Sequence, residues 1–241
     1  MLITGKRLGS KLLLKDLALD ITMSNDVKLD KVASYKLLGV SFDQNLTFDE
    51  HIGTVCKKLT QRIGKLRSIK YSLPKQERIL LYNAVIKPVL MYGSDVWTKT
   101  SHDNLNRVFR LQKRPPRVIL NVGVREERTV TLFDKLNWIR FYDETKIDKC
   151  CVVYKCLQGS APDYLINRIT KISDVSFRTT RFSDINLRCP RYIRETVEEK
   201  TFLTTASKLW NTLPIFLRKS ASCRVFKKDY FKYLKSQYIW S

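Results

Sequence analysis

Asp49 and Glu50 are adjacent acids, and carboxylates held close together are the groups that bind divalent metal ions for phosphoryl chemistry. Their context favours another role. The stretch from Thr47 to Glu50 has the spacing of a capping box, in which the Thr47 and Glu50 side chains each satisfy a free backbone N–H at a helix start. We therefore predict that a helix begins here, and we assign no catalytic residue and no metal ligand.

Cysteine and histidine are the other residue types that could bind a metal ion or act as nucleophiles. No CxxC pair of zinc ligands occurs, and the two histidines are His51 and His102. The cysteines are predicted to be free thiols with mostly structural roles, and those at 150, 151 and 156 are interpreted as small buried apolar residues. The six are Cys56, Cys150, Cys151, Cys156, Cys189 and Cys223.

The chain is strongly basic. Its 241 residues contain 45 Lys and Arg against 23 Asp and Glu, which leaves a formal net charge of +22. A folded protein tolerates this self-repulsion most readily when its partner is a polyanion. Nucleic acid is therefore the expected partner, and an anionic membrane surface is the alternative.

The apolar runs are too short to insert into a membrane. The run AVIKPVLMY is interrupted by Lys87 and Pro88, whereas a spanning helix needs about 20 apolar residues. The start MLITGKRLGSK has too short an apolar stretch for a signal peptide. We expect no membrane partner and an intracellular location, in the nucleus or the cytoplasm.

The spacing of apolar residues along the chain changes near Leu46, which indicates a change from strands to helices. Before it, the short apolar runs MLIT, LALDITM and YKLLGVSF predict two or three strands of a small sheet. After it, apolar residues recur at steps of three and four, which is typical of an amphipathic helix. This apolar stripe comprises Ile52, Val55, Leu59, Ile63, Leu66 and Ile69.

Further helices are predicted along the rest of the chain. The segment from Lys75 to Trp97 should form a second helix with a kink at Pro88, which lacks an amide donor. A third should begin near Ser101, and the stretches LFDKLNW, FYDETKIDKCCVVYKCLQ, KTFLTTASKLWNTL and SCRVFKKDYFKYLKSQY should form others. The fold class is therefore mainly α with a small N-terminal β-sheet, an α+β chain. Core packing is favoured over base stacking for Trp97, Trp138 and Trp210.

Two sets of cations lie on predicted helix faces. Lys57, Arg62 and Lys65 lie off the apolar stripe of the first helix and could neutralise phosphates. The third helix would carry an arginine face, which a break at Pro115-Pro116 divides in two because each interior proline costs about 3 kcal/mol. A merely solvated surface is the alternative interpretation for both sets. The arginine face comprises Arg107, Arg110, Arg114 and Arg117.

Six stretches resemble, in order, the region downstream of the polymerase palm in reverse transcriptases of LINE-type, jockey-group non-LTR retrotransposons. They follow one another along the chain from Tyr35 to Leu234, and their common order argues against a chance resemblance. The stretches are YKLLGVSFDQNLTFDEHI, RILLYNAVIKPVLMYGSDVW, LNRVFRLQKRPPRVILNV, VVYKCLQGSAPDYL, RTTR and TFLTTASKLWNTLPIFLRKSASCRVFKKDYFKYL.

The resemblance implies a nucleic-acid interface. In such enzymes a strand and turn like those after Ala33 form the primer grip, and the helices that follow form the thumb. Gly39 would then let the backbone approach a nucleic-acid strand, or it would only relieve a twist or bulge in an edge strand. The implied primer-grip residues are Tyr35, Lys36, Leu37, Leu38, Gly39 and Val40.

The chain also departs from the family. Nucleotide transfer there requires palm aspartates that hold two metal ions, and no [FY]-x-D-D or similar pair occurs here. We expect no cofactor for this chain, with Mg²⁺ needed only by the complete parent enzyme, and no polymerisation by this chain alone. The endonuclease and a Cys/His knuckle are absent, and Pro115-Pro116 replaces small helix-compatible residues.

We expect three regions: the end of the palm with the primer grip over residues 1–46, a thumb-like helical region over 47–122, and a helical C-terminal region over 123–241. A hinge would lie near residues 121–128. The predicted function is that of a fragment of an RNA-directed DNA polymerase that binds RNA or an RNA:DNA template-primer duplex. The alternatives are a stand-alone helical nucleic-acid-binding or interaction protein, and a non-functional product of a decayed transposon.

Overall fold

The structure is a computed structural model, and it describes residues 32–175, 185–189 and 201–237. These residues are mainly α-helical with one small antiparallel sheet near the N-terminus, so the predicted fold class is confirmed. The runs MLIT and LALDITM, which the sequence predicts as strands, and the RTTR stretch lie outside the described residues.

The sheet is a two-stranded hairpin. Strand β1 (Ser34–Leu37) pairs with β2 (Val40–Asp43) in an unbroken register that runs from Ser34 opposite Asp43 to Leu37 opposite Val40. The two turn residues, Leu38 and Gly39, have φ values of 47° and 83°. Positive φ at both central residues matches the twist of a tight hairpin turn.

The described residues contain twelve α-helical segments and one π-helical segment. The π-helical segment, Tyr82–Ile86, lies between α2 and α3. In chain order the α-helices are α1 (Asp49–Ser68), α2 (Lys75–Leu81), α3 (Lys87–Met91), α4 (Ser94–Trp97), α5 (His102–Gln112), α6 (Arg114–Leu120), α7 (Thr129–Leu136), α8 (Phe141–Leu157), α9 (Asp163–Ile166), α10 (Phe202–Thr212), α11 (Ile215–Arg218) and α12 (Cys223–Ser236).

The start of α1 corrects the predicted capping box. Phe48 is the residue that directly precedes the helix, and its φ is 61°. Its side chain makes no capping hydrogen bond to the first turn. Instead the Asp43 carboxylate accepts hydrogen bonds from the Thr47 N–H (2.9 Å), the Phe48 N–H (2.7 Å) and the Thr47 hydroxyl (3.1 Å). The end of the hairpin therefore supplies the acceptor for the Thr47 N–H that the sequence assigned to Glu50, while the Thr47 hydroxyl accepts the Asp49 N–H at 3.5 Å.

We expect Asp43→Asn to lower the free energy of unfolding by about 1 kcal/mol at pH 7, because it weakens these charge-assisted bonds. Burial raises the pKa of Asp43, but the bonds from Thr47 and Phe48 outweigh it and lower the pKa. A carboxyl with a lowered pKa stabilises the fold above its unfolded pKa. The difference in free energy of unfolding between the wild type and Asp43→Asn should therefore shrink below about pH 4. Urea denaturation measures it. The control is Asp103→Asn, which changes an exposed carboxyl in the same way. It should lower the free energy of unfolding by less, and an equal loss in the two variants would contradict the cap.

The second predicted helix is interrupted twice. It changes from α to π geometry at Tyr82, and the Lys87 N–H bonds to the Tyr82 carbonyl one residue further back than in an α-helix. A π-helical turn thus lies just before Pro88, and the predicted kink at the proline stays a prediction. Nor does the helix continue to Trp97: α3 ends at Met91, and Gly93 (φ 61°) precedes the separate helix α4.

The third predicted helix is confirmed. It starts after Ser101 and breaks just before the proline pair, as predicted. Ser101 caps α5 by accepting the Asn104 N–H. The helix stops after Gln112, and α6 begins at Arg114 after a single residue, Lys113, that keeps helical dihedrals. The missing amide donors of the two prolines explain this break, since they leave no N–H for the carbonyls four residues earlier.

Two apolar clusters form the core. The first surrounds α1, the π-helical segment and α5–α6, and it contains most of the predicted stripe, although Ile69 at the end of α1 is exposed. The second is built from α8, α10 and α12. Helix α8 belongs to both, because Phe141 packs in the first and Ile147 in the second. The three predicted regions remain a prediction.

The remaining helices and the core residues largely follow the sequence. Helices α8, α10 and α12 lie within the predicted stretches, and α7 begins at Thr129, three residues before the stretch LFDKLNW. Trp97 and Trp210 are fully buried, and Trp138 packs on the first cluster. The cysteines at 150, 151 and 156 are buried free thiols, and burial raises the pKa of Cys151 to about 12. A thiol with so high a pKa is a poor nucleophile, as expected of a packing residue.

Candidate nucleic-acid interface

The hairpin presents its side chains to solvent. Tyr35, Leu37 and Leu38 are 56%, 52% and 83% exposed, and Lys36 is exposed with them. Val40 alone among the six predicted primer-grip residues is buried, in the first cluster. The hairpin thus projects an apolar tip with one cation, while Val40 anchors its base.

Two residues that sequence reasoning missed hold this hairpin in place. The Tyr92 hydroxyl donates to the Leu38 carbonyl at 2.6 Å, and a side chain at Gly39 would lie 3.3 Å from the Tyr92 ring. A Cβ at Gly93 would come within 2.9 Å of the Val40 side chain, so only glycine fits there. Gly39 therefore has a structural reason for its identity, and its contact with a primer stays a prediction.

The cations predicted on α1 divide into two kinds. Lys57 and Lys65 are exposed and have no hydrogen-bond or ion-pair partner among the described residues. The guanidinium of Arg62, in contrast, donates to the Val85 carbonyl within the π-helical segment. Arg62 therefore supports the irregular helix, and the two lysines are free to meet a phosphate.

The arginine face divides in the same way. Arg107, Arg110 and Arg114 are exposed, and Arg107 donates to the Asn104 side chain at 3.0 Å. Arg117 is half-buried and donates to the Gly123 carbonyl at 2.9 Å. Three of the four predicted arginines therefore present charge to solvent, and the fourth closes the end of α6.

Helix α1 brings the hairpin and the arginine face together. It packs against both β2 and α5. Its first-turn acid Asp49 accepts a hydrogen bond from Asn104, which in turn accepts one from Arg107. Burial raises the pKa of Cys56 on α1, and the nearby charge of Arg107 opposes that rise. The exposed cations of α1 and α5 therefore lie on neighbouring helices.

A second link joins the hairpin to α1. The buried His51 ring accepts a hydrogen bond from the Ser41 N–H of β2 at 3.3 Å. Burial lowers the pKa of His51, and the charges of Lys58 and Lys36 lower it further. Lys58 therefore lies with Lys36 at the junction of α1 and the hairpin.

A group of one buried and two half-buried charges lies in and beside α4. Lys149 on α8 is 5% exposed, and its ammonium is 3.4 Å from the Thr98 hydroxyl. Burial lowers its pKa although the Asp95 charge opposes this, and burial together with the Lys149 charge lowers the pKa of Lys99 to about 8. Burial also raises the pKa of Asp95, which has one buried oxygen without a hydrogen-bond partner among the described residues.

This group makes stability depend on pH. Between about pH 8 and about pH 10.4 the unfolded chain holds a proton on Lys99 that the folded chain has lost, so rising pH favours the folded state. We expect the wild type to gain stability relative to Lys99→Gln across this window. The difference between their free energies of unfolding, wild type minus variant, should increase as the pH rises. Urea denaturation at several pH values measures it, with exposed Lys155→Gln as the control. A flat or falling difference would contradict the assignment.

The described residues show no group of three or more metal-binding side chains, and Asp49 is engaged with Asn104. They also contain no helix long and apolar enough to span a membrane. The arrangement can therefore hold phosphates on exposed cations, and within the described part of the chain it offers no set of acids that fits the metal ions of nucleotide transfer.

Comparison with known proteins shows that part of the chain is similar to RNA-directed DNA polymerases of mobile elements. It is 30% identical over 96 residues to the probable RNA-directed DNA polymerase from transposon BS of Drosophila melanogaster, which covers 39% of this chain and 11% of the relative. It is 24% identical over 123 residues to the corresponding probable enzyme from the X-element of the same fly, covering 46% and 14%. The predicted resemblance to this family is thus confirmed.

A third relative is the RNA-directed DNA polymerase from mobile element jockey of Drosophila funebris, 29% identical over 98 residues, or 39% of this chain and 11% of the relative. The aligned segments therefore span about a seventh or less of the relatives' own lengths. No family model and no solved structure matches the chain.

Proposed function

We propose that the chain is a fragment of a retrotransposon RNA-directed DNA polymerase that holds an RNA or RNA:DNA template-primer duplex. The observation that carries the proposal is the set of unpaired, exposed cations on the neighbouring helices α1 and α5–α6. Such cations position a phosphate backbone without reading its sequence. The similarity to polymerases of mobile elements supports nucleic acid as the partner.

The hairpin adds a second type of contact. Its exposed Leu37 and Leu38 and the backbone of its turn belong to the hairpin whose strand β2 packs against α1. The charges of Lys36 and Lys58 both act on His51 at this junction. A rigid turn fixed by the Tyr92 hydroxyl offers backbone atoms that need no reorganisation when a strand arrives. We therefore assign the hairpin to the primer strand and the helices to the duplex behind it.

Polymerisation is not part of the proposed function of this chain. Two Mg²⁺ ions in a complete enzyme would neutralise the charge that develops on the phosphates. The described residues include no set of carboxylates that would hold them. The chain would bind a duplex and leave the chemistry to the palm aspartates of a complete parent enzyme.

Titration of the purified 241-residue chain with a labelled RNA:DNA duplex tests the proposal. If about six phosphates are contacted, affinity should fall roughly a thousandfold between about 50 and 200 mM salt. Binding that is weak and equal for every polyanion, heparin included, would favour a stand-alone relic with leftover charge. A primer-extension assay with Mg²⁺ accompanies the titration, and template-dependent incorporation would overturn the inactive part of the proposal.

A further inference from the structure

Helix α12 lines a basic groove far along the chain from the hairpin, α1 and α5–α6. The groove is an open recess of about 780 Å³ between α12 and the residue that follows α7. Its lining residues recur along α12 at steps of one, three and four, so they form one face of the helix. They are Arg224, Lys227, Lys228, Phe231, Lys232, Lys235 and Ser236, with Asn137 on the opposite wall.

The charges in the groove are only partly neutralised. Lys227 pairs with Asp148 at 2.9 Å, and Lys235 lies 3.4 Å from Asp134 and donates to the Asn137 side chain. The other three cations, Arg224, Lys228 and Lys232, are exposed and have no hydrogen-bond or ion-pair partner among the described residues. The acid that α12 itself carries, Asp229, does not line the groove. The recess is therefore left with about three uncompensated positive charges.

An aromatic ring lies among these charges. Phe231 lines the groove while packing partly against the second apolar cluster, which keeps the ring in place. An aromatic face beside a row of cations is the arrangement that binds unpaired nucleotides, because the cations follow the backbone and the ring stacks on a base. We propose that this groove binds single-stranded nucleic acid, with phosphates on Arg224, Lys228 and Lys232 and one base on Phe231.

Two other polyanions fit the groove less well. Bases inside a duplex are already stacked on each other, so a double helix would leave Phe231 unused. An anionic membrane requires an apolar helix face to enter the headgroup region. The apolar residues Phe226 and Tyr230 of α12 are instead fully buried in the second cluster. The proposal concerns a surface separate from the duplex site, and it would hold even if the duplex site failed.

The test uses the full chain and three probes: a labelled single strand of about 16 nucleotides, a blunt RNA:DNA duplex, and vesicles containing phosphatidylserine. The variants are Arg224→Gln/Lys228→Gln/Lys232→Gln and, separately, Phe231→Leu, which keeps the apolar packing but removes the ring. The control is Lys155→Gln/Arg168→Gln/Lys219→Gln, which removes the same charge from positions outside the groove. Circular dichroism confirms that each variant folds.

The expected result is a fall of about tenfold or more in single-strand affinity for the groove triple variant and about tenfold for Phe231→Leu. Duplex affinity should change no more than in the control. Equal losses in the groove triple and the control would overturn the proposal, since net charge alone would explain them. An unchanged single-strand affinity in Phe231→Leu would also overturn it. So would a loss of vesicle binding in the groove triple variant without a loss of single-strand binding. Failure of the duplex site would show instead as weak duplex binding by the wild type with single-strand binding intact.

Discussion

Replacing Lys57, Arg110 and Arg114 with glutamine is expected to weaken binding to an RNA:DNA duplex roughly a thousandfold or more. The three side chains are exposed, lie on neighbouring helices, and have no partner among the described residues, so their charge is available to phosphates. Charge-assisted hydrogen bonds contribute about 1.5 kcal/mol or more each, and about 1.4 kcal/mol is a factor of ten in affinity. Fluorescence anisotropy at fixed salt measures the change.

The salt dependence distinguishes specific contacts from general attraction. Each phosphate contact that is lost should reduce the slope of log affinity against log salt by about one, so the triple variant should lose about three units. The control that removes three cations at Lys155, Arg168 and Lys219 should keep most of the slope. Similar slopes in the two triple variants would argue against a duplex site on α1 and α5–α6.

Arg62 and Arg117 make a matched comparison on the same helices. Both donate to backbone carbonyls, Arg62 to Val85 and Arg117 to Gly123. Their replacement should therefore lower stability more than it lowers the salt slope. If Arg62→Gln instead reduces the slope as much as Lys57→Gln does, its guanidinium must leave Val85 when the duplex binds.

Trp97→Ala is expected to lower the free energy of unfolding by about 3 to 5 kcal/mol, a large share of the roughly 5 to 15 kcal/mol typical of a folded chain. The Trp97 side chain is 0% exposed, and its ring stacks on Phe141 with 5.9 Å between centroids. Its indole N–H donates to the Tyr92 carbonyl at 2.9 Å. The truncation would therefore open a cavity and release the residue whose hydroxyl holds the hairpin turn.

Denaturant unfolding followed by far-UV circular dichroism measures this loss. Trp97→Phe should cost less than Trp97→Ala, because it keeps an aromatic ring and gives up the hydrogen bond to Tyr92. Tyr164→Ala removes an aromatic side chain that is 69% exposed and should cost less than about 1 kcal/mol. A cost for Trp97→Ala as small as that of Tyr164→Ala would mean that the first cluster does not depend on this ring.

Local patterns predicted much of the fold. The apolar stripe from Ile52 to Leu66 and the serine cap at Ser101 each act within one or a few helical turns, so the sequence alone could predict α1 and the start of α5. The proline pair predicted the break between α5 and α6 for the same reason. Pro115 and Pro116 are nevertheless buried, which their role as helix breakers did not indicate.

The candidate interface could be predicted only in part. Charge and helical spacing selected Lys57, Lys65 and the arginines, but spacing does not say which cation already has a partner. Arg62 and Arg117 are bound to carbonyls 23 and 6 residues away in the chain. Tyr92 and Gly93 carried no signal in the sequence, because their role depends on a hairpin more than 50 residues earlier.

The sequence by itself determined where most helices lie and that the chain carries a large excess of positive charge, since hydrophobic period, caps and composition are properties of neighbouring residues. Only the tertiary structure decided that Asp43 caps α1, that Tyr92 holds the hairpin, and that Lys149 is buried. These facts depend on contacts between separate elements of the fold, and the energy of such a contact exists only once the chain has folded to bring the partners together.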